Sequence, residues 1–354
     1  MNIEVRTDRP YTVTVERGAL DRAGELLRPL KKPGTRVMLI SDSNVMPLYG
    51  RRLRESLEGV GFPVSEFIFP AGEEHKQIDT VCDMYRALSE GGFTRTDLIV
   101  TLGGGVTGDM GGFAAATFLR GMDFAQVPTT VVSQADASVG GKTGVDLPFG
   151  KNLVGAFHQP IAVISDPDAL STLPKHYFND GLGEVIKHGA IADKELFEAL
   201  ERGGAQEQSI ALEDLEQVMG RSVSIKRDFV EADTKDTGRR MILNFGHTCG
   251  HALEKLHGFR DISHGEAVGI GMVLACKAGE RLGVTEPGTG ERIAGALKKY
   301  GMPTEPGFAM EEIVAATALD KKSDGDTVRF ILLPRIGESL IRPMTRKELL
   351  EALS

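Results

Sequence analysis

A run of largely apolar residues, Asp97-Leu-Ile-Val-Thr-Leu102, passes directly into Gly103-Gly-Gly105-Val-Thr-Gly108-Asp109. The spacing is G-x-G-x-x-G, and the residues after it have the composition of a helix. Glycine is needed where a backbone approaches a pyrophosphate closely, and the free amides of a helix start favour an anion. A glycine-rich turn with no ligand has the same spacing, so the strand before it and the helix after it carry the argument. Two features differ from the first unit of a Rossmann fold. The loop comes after two earlier strand–helix units, and the nearest later acid, Asp123, begins a strand instead of ending one. An acid for a ribose is better sought in Ser41-Asp42-Ser-Asn44, at the end of the Arg36–Ile40 run, where Asp42 reads equally well as a helix N-cap.

The surrounding pattern sets the fold class. Short runs (Arg36–Ile40, Val64–Phe69, Asp97–Leu102, Phe124–Val127, Ile161–Ile164) alternate with helix-like stretches (Val45–Glu58, Lys76–Ser89, Met110–Leu119). Uninterrupted apolar runs that end in Gly, Ser, Asp or Pro predict buried parallel strands, hence an open, Rossmann-like α/β sheet with ligands at the strand C-termini. Ile3–Val5 and Thr12–Val15 read as an added hairpin. After Pro174 the texture becomes helical: Gly183–Ala190, Leu196–Glu201, Leu212–Val230, Thr248–Leu256, Glu266–Leu282 and Arg292–Tyr300, then a strand at Val328–Leu333 and a polar C-terminal helix. Gly203–Gln208 reads as an exposed loop. These changes divide the chain into an α/β domain, residues 1–175, and a mostly α-helical domain, 176–354.

Composition narrows the class of partner. With 41 Lys and Arg against 50 Asp and Glu, the formal charge of −9 excludes a generally basic nucleic-acid binder. Cys82, Cys249 and Cys276 are odd in number and in no CxxC spacing, which points to a reducing, cytoplasmic setting. The N-terminal MNIEVRTDRP has no apolar core of a secretory signal, and the apolar stretch Ala267–Cys276 is too short to span a bilayer.

Four of the 8 histidines, His247, His251, His257 and His264, crowd into residues 247–264, far more than an even spread would place there. His247 and His251 are spaced i, i+4 and share a helix face, as a zinc-binding pair would or as two packed histidines would. HTCGH lacks the glutamate of HExxH, so a metalloprotease fails at its general base. A third ligand could come from His264 or from Glu184, which also shares a face with Lys187 as a solvated ion pair would. Lys142 and Lys151 flank a segment that reads as a hairpin or loop. These two, with Arg120, Lys226, Arg239, Arg240, Lys321 and Lys322, each read singly as solvated surface charge. Jointly they would suit a phosphorylated, carboxylated small substrate.

Taken in order along the chain, the motifs resemble those of the 3-dehydroquinate synthases, a family of sugar-phosphate cyclases. Their carriers are PAGEEHK (70–76), GGGVTGD (103–109), FLRG (118–121), Pro128-Thr129-Thr130, QADASVGGKTGV (134–145), GKNLVGAF (150–157), GEVIK (183–187), LNFGHTCGHALE (243–254) and SHGEAV (263–268). The resemblance implies an NAD-binding α/β domain, a metal-bearing helical domain and an active site between them. It implies that Glu184, His247 and His264 hold Zn2+ or Co2+ and that His251 handles a proton instead of binding the metal. NAD would be lined by Asp42, Asn44, Glu73, Lys76, Gly104, Gly105, Val106, Asp109, Thr129, Thr130, Lys142, Lys151 and Thr172. Arg120, Asp136, Lys142, Asn152, Lys187, Lys226, Arg240, Asn244 and Lys321 would hold the substrate. Asp146, Gly183 and Asp236 stand where the family usually has Asn, Ala and Glu.

The implied reaction converts 3-deoxy-D-arabino-heptulosonate 7-phosphate to 3-dehydroquinate and phosphate, the second step of the shikimate pathway. A hydride leaves C5 for NAD, phosphate is eliminated, the hydride returns, and the opened ring closes by an intramolecular aldol step. A homodimer is implied, with neither nucleic acid nor membrane as partner. Competing readings are a cyclase acting on a sedoheptulose or glucose phosphate, a metal-dependent alcohol or glycerol dehydrogenase, and an NAD-binding regulator without chemistry.

Overall fold

In the computed structural model, residues 1–203, 212–317 and 327–354 are described. The chain divides into two compact units, Met1–Leu173 with Leu215–Lys235, and Pro174–Asp214 with Asp236–Ser354. Its strands are β1 (Asn2–Val5), β2 (Tyr11–Val15), β3 (Val37–Asp42), β4 (Val64–Phe69), β5 (Leu98–Gly103), β6 (Asp123–Pro128), β7 (Lys142–Leu147), β8 (Gly150–Phe157), β9 (Ala162–Ser165), β10 (Thr327–Arg335) and β11 (Glu338–Thr345). Its α-helices are α1 (Ala23–Leu27), α2 (Arg51–Gly59), α3 (Ile78–Glu90), α4 (Gly105–Thr117), α5 (Lys175–Ala192), α6 (Lys194–Arg202), α7 (Leu212–Ala232), α8 (His247–Leu256), α9 (His264–Arg281), α10 (Thr289–Lys299), α11 (Met310–Thr317) and α12 (Arg346–Leu353).

In the first unit, β3 and β5 are apolar without alternation because both of their faces are covered. Val37 and Leu39 point to one face, where Leu27 of α1 and Leu53 and Leu57 of α2 pack. Met38 and Ile40 point to the other, against Val81 and Met84 of α3 and Met110 and Phe113 of α4. The result is a seven-stranded sheet, β1-β2-β9-β6-β5-β3-β4, parallel throughout except for β1 against β2. The N-terminal hairpin is therefore part of this sheet, joined through β2 and β9. Between β6 and β9 the chain makes a separate antiparallel hairpin, β7–β8.

Helix α4 starts at Gly105, five residues before the Met110 that the apolar pattern marks. The glycines are the reason. A Cβ at Gly108 would meet Gln126 Oε1 at 2.5 Å, at Gly111 Thr101 Cγ2 at 2.3 Å, and at Gly112 Thr143 Cγ2 at 2.5 Å. Only a helix with a bare face approaches the sheet and the β7–β8 hairpin this closely, and a face without side chains has no apolar period to read.

The second unit is built on α9, buried along nearly its whole length from Gly265 to Gly279. Ser263 and Glu266 cap its start reciprocally. Helices α5, α8, α10 and α12 pack against it. The β10–β11 hairpin and α11 complete the unit. The sequence pattern shows β10 but neither β11, which carries Pro343 and is only partly buried, nor the short α11. No helix among the described residues is long and apolar enough to cross a membrane.

Candidate active site

The parallel strands of the first unit all end on one edge of the sheet, and most of its candidate residues lie just past those ends. Beyond β5, Gly104 is the N-cap of α4, and no side chain caps the helix. Its first amides are therefore free to meet an anion. A Cβ at Gly104 would stand 3.2 Å from Thr130 Cγ2, whereas at Gly105 it would meet only Ala137 Cβ at 3.8 Å. Beyond β6, the buried Thr129 Oγ1 has no hydrogen-bond partner among the described residues. Beyond β3, Asp42 Oδ1 accepts from the amides of Asn44 at 2.8 Å and Val45 at 3.0 Å. The capping alternative thus describes one Asp42 oxygen, while Oδ2 faces the Thr107 hydroxyl at 3.3 Å. Beyond β9, Thr172 Oγ1 meets Tyr49 OH at 2.6 Å. An open glycine turn, a helix start and an unsatisfied buried hydroxyl are a donor set that fits a dinucleotide.

Next to this loop lies a charged cluster. Lys76 Nζ is 2.7 Å from Asp109 Oδ2 and 2.8 Å from Asn152 Oδ1. Burial raises the Asp109 pKa against the pull of Lys76. Burial likewise raises Glu73, against Lys76 and Lys151, with Lys151 Nζ 3.9 Å away. For Lys76 burial acts downward, but Asp109 and Glu73 outweigh it and hold the ammonium above its usual value. Lys226 comes from α7, far along the sequence, and reaches Asp136 Oδ1 at 2.8 Å within the same unit. Lys142, the exposed first residue of β7, starts the hairpin that carries Lys151 and Asn152. Arg120 is placed apart. It is exposed, with φ 67°, beyond the far end of α4, roughly 20 Å along the helix axis from Gly105.

In the second unit α8 and α9 cross at glycines. A Cβ at Gly271 would lie 1.9 Å from the carbonyl oxygen of Gly246, and one at Gly250 3.1 Å from that of Ala267. This approach brings His247, at the start of α8, beside His264, at the start of α9, with ring centroids 5.3 Å apart. Glu184 on α5 completes the group, its Oε1 3.2 Å from His264 Nε2 and 3.6 Å from His247 Nε2. One donor atom from each of the three lies within 4.8 Å of the others. Asp180, on the same helix as Glu184, accepts from Gly265 N at 2.6 Å and so holds α9 against α5. Gly183 lies against Gly265, where a methyl would sit 3.0 Å from the carbonyl oxygen.

The electrostatics suit a cation. Glu184 is buried with Lys187, whose ammonium it holds. Burial, reinforced by Lys187, pushes the His247 pKa well down, so this imidazole is neutral and keeps a lone pair. Burial also works to lower His264, but hydrogen bonds with Glu184 and Glu254 overcome it and raise the pKa to about 10. The same carboxylates that favour a proton on His264 favour a divalent ion in its place. The donor set, one carboxylate and two imidazoles, fits zinc or cobalt.

His251 shares the face of His247 as its spacing requires, with centroids 5.3 Å apart, and is exposed at the rim. Its donor atoms also converge with Glu254 and His264. Arg240 is buried in the short helical turn Arg239–Asn244, which ends three residues before His247. Lys321 and Lys322 lie outside the described residues, as does the expected loop beyond Gly203. Sequence reasoning missed Glu254 and Asp146. Glu254 had a signal, since it stands seven residues after His247 on the same helical face. Asp146 stood out only as a departure from the family's usual Asn; spacing does not show that its carboxylate meets the Asn152 amide across the hairpin while its own amide meets the Lys76 carbonyl.

Family models match both halves, one described as 3-dehydroquinate synthase N-terminal over residues 66–180, the other as 3-dehydroquinate synthase C-terminal over 181–323. A 3-dehydroquinate synthase of Clostridium acetobutylicum is 45% identical over 339 residues, covering 96% of this chain and 94% of its own. One from Streptococcus suis is 42% identical over 346 residues, 97% of each chain. Among solved structures, 2-deoxy-scyllo-inosose synthase with carbaglucose-6-phosphate, NAD+ and Co2+ is similar at a TM-score of 0.89 and 26% identity, over 100% of this chain and 99% of that one. A 2-epi-5-epi-valiolone synthase from Streptomyces hygroscopicus with NAD+ and Zn2+ reaches 0.87 at 27% identity, over 100% and 98%. A probable glycerol dehydrogenase from Sinorhizobium meliloti, at 0.61 and 16% over 96% and 94%, shares the fold alone. Matched in both halves and by relatives above 40% identity over nearly its full length, this chain belongs to the 3-dehydroquinate synthase family.

Proposed function

We propose that the chain converts 3-deoxy-D-arabino-heptulosonate 7-phosphate to 3-dehydroquinate and phosphate, as a carbon–oxygen lyase that uses NAD and a divalent zinc or cobalt ion. The observation that carries this reading is the convergence of Glu184, His247 and His264 in a chain of this family. Relatives solved with NAD+ and with Co2+ or Zn2+ support both cofactors. When bound, NAD supplies a reversible hydride acceptor and the ion a Lewis acid for substrate hydroxyls, together making the carbon next to C5 acidic enough for loss of phosphate.

The chain's own residues bind, orient and move protons. In the first unit, Met1–Leu173 with Leu215–Lys235, Gly104, Gly105 and Val106 would present helix-start amides to the pyrophosphate of NAD, and Lys76 and Asp109 would help to hold the rest of it. In the second unit, Pro174–Asp214 with Asp236–Ser354, Glu184, His247 and His264 would hold the ion with positions left for substrate oxygens. His251, exposed beside that set, exchanges a proton with the substrate at its ring nitrogen. Asn152, Lys187, Lys226, Arg240 and Asn244 supply donors for the carboxylate, hydroxyls and phosphate of the sugar acid. We propose a homodimer in a cytoplasmic setting. Three unpaired cysteines support the setting, and light scattering tests the dimer.

The deciding experiment supplies the heptulosonate phosphate with substoichiometric NAD. Phosphate release without accumulation of NADH is expected; stoichiometric NADH would make the protein a dehydrogenase, and neither product would leave binding alone. His247→Ala should lose both metal and turnover, whereas His251→Ala should keep its metal and lose rate. Metal loss in the second variant would make His251 a ligand.

A further inference from the structure

One face of α8 carries His247, His251 and Glu254, at positions i, i+4 and i+7. The proposed reaction uses the first two and leaves Glu254 without a part. Yet Glu254 is a carboxylate at 5% exposure, and burying one is costly unless it is hydrogen-bonded. Its Oε1 lies 3.4 Å from Nδ1 of His264, whose other nitrogen, Nε2, lies 3.2 Å from Glu184 Oε1. The His264 ring therefore spans two carboxylates, one on each nitrogen.

His247 is arranged in the same way. Its Nδ1 is 3.1 Å from the carbonyl oxygen of Phe245, and its Nε2 faces Glu184. A carbonyl can only accept, so His247 carries its proton on Nδ1 and keeps the Nε2 lone pair for a ligand. Glu254 stands to His264 as the Phe245 carbonyl stands to His247, with a full negative charge added.

We infer that Glu254 is a positioning residue: it accepts the Nδ1–H of His264 and so presents Nε2 to the divalent ion. The inference rests on the reading of Glu184, His247 and His264 as the metal ligands. An anionic acceptor on the outer nitrogen fixes the tautomer and the ring orientation and makes the imidazole a stronger donor. Because Glu254 and His247 share α8, one helix supplies a ligand and also the group that orients a ligand on α9. The close packing at Gly250 and Gly271 then sets both distances together.

The test is Co2+ and Zn2+ affinity by chelator competition, on the wild type, Glu254→Ala, Glu254→Gln, His251→Ala, His264→Ala and Glu184→Gln. Nitrogen-15 NMR of the zinc-loaded protein, labelled at histidine, reports the tautomer of His264. Glu254→Ala should bind metal about 10- to 100-fold more weakly and lose the slowly exchanging Nδ1–H signal. Glu254→Gln keeps the shape and a neutral acceptor, so it should fall in between, and it decides the matter if the alanine variant does not fold. Wild-type affinity and tautomer in both Glu254 variants, while His264→Ala and Glu184→Gln lose the ion, would overturn the role of Glu254 alone. Wild-type affinity in those two reference variants as well would overturn the metal-site reading beneath it. Complete metal loss in Glu254→Ala together with His251→Ala would make Glu254 a ligand itself, and the inference would fall.

Discussion

Asn152 is held in a left-handed backbone conformation, φ 52°, by contacts on both sides of its Cα. Its amide donates to Asp146 Oδ1 at 2.7 Å and its side-chain oxygen accepts from Lys76 Nζ. Asp146 also donates its own amide to the Lys76 carbonyl at 2.8 Å. One residue thus ties the hairpin to the segment after β4. Asp146→Ala should raise the substrate KM and lower the melting temperature by a few degrees, since a hydrogen bond to a charged group contributes roughly 1.5–3 kcal/mol to stability. Asp146→Asn keeps an acceptor and should stay close to wild type; equal losses in the two variants would show that the hydrogen bond is not what matters. At this scale the sequence was only partly legible. The i, i+4 spacing of His247 and His251 shows a shared face but not which nitrogen looks where. Glu184 joins the histidines from another helix, and that assignment rests on the family motif GEVIK instead of on spacing.

At the scale of elements, apolar runs without alternation were enough to place the central strands, because burial on both faces leaves that mark in the residues themselves. Where packing depends on missing side chains, the sequence showed the helix but neither where α4 begins nor which helices touch. The first turn of α4 is glycine-rich, and the α8–α9 contact is made by Gly246, Gly250 and Gly271, with Gly246 at φ 80°. Partly exposed β11 was silent for the opposite reason, since its residues are too mixed to alternate cleanly. The α8–α9 crossing makes a sharp prediction. Gly271→Ala puts a methyl where the Gly246 carbonyl already is, so the helices must part. Overpacking of this kind costs about 1–3 kcal/mol. A lower melting temperature and weaker Co2+ binding should appear together, read by calorimetry and by chelator competition. Unchanged metal affinity in a destabilised protein would uncouple the crossing from the site.

At the scale of the whole molecule, the change of texture at Pro174 was legible, but the return of α7 was not. Nothing in an amphipathic helix says which of two cores it will join. In the structure α7 serves the first unit: Lys226 reaches Asp136, and Glu231 accepts from the amide of Arg6 at 2.7 Å, just beyond β1. A chain of Met1–Leu173 alone should therefore be aggregation-prone, whereas one in which a flexible linker joins Leu173 directly to Leu215–Lys235 should be soluble and melt cooperatively. Equal solubility of the two fragments would show that α7 adds nothing to the first unit.

The same helix has a consequence for synthesis on the ribosome. Every strand of the large sheet has been made once Leu173 is added. Yet the region beside Met1 and Arg6 waits for α7, and Lys235 is translated only after a further stretch of foreign sequence. At 5–20 residues per second that delay lasts roughly 3–12 s, during which an outer strand lacks its cover in every nascent copy. Polysomes, where such copies crowd together, are where this fold is most exposed to mispairing.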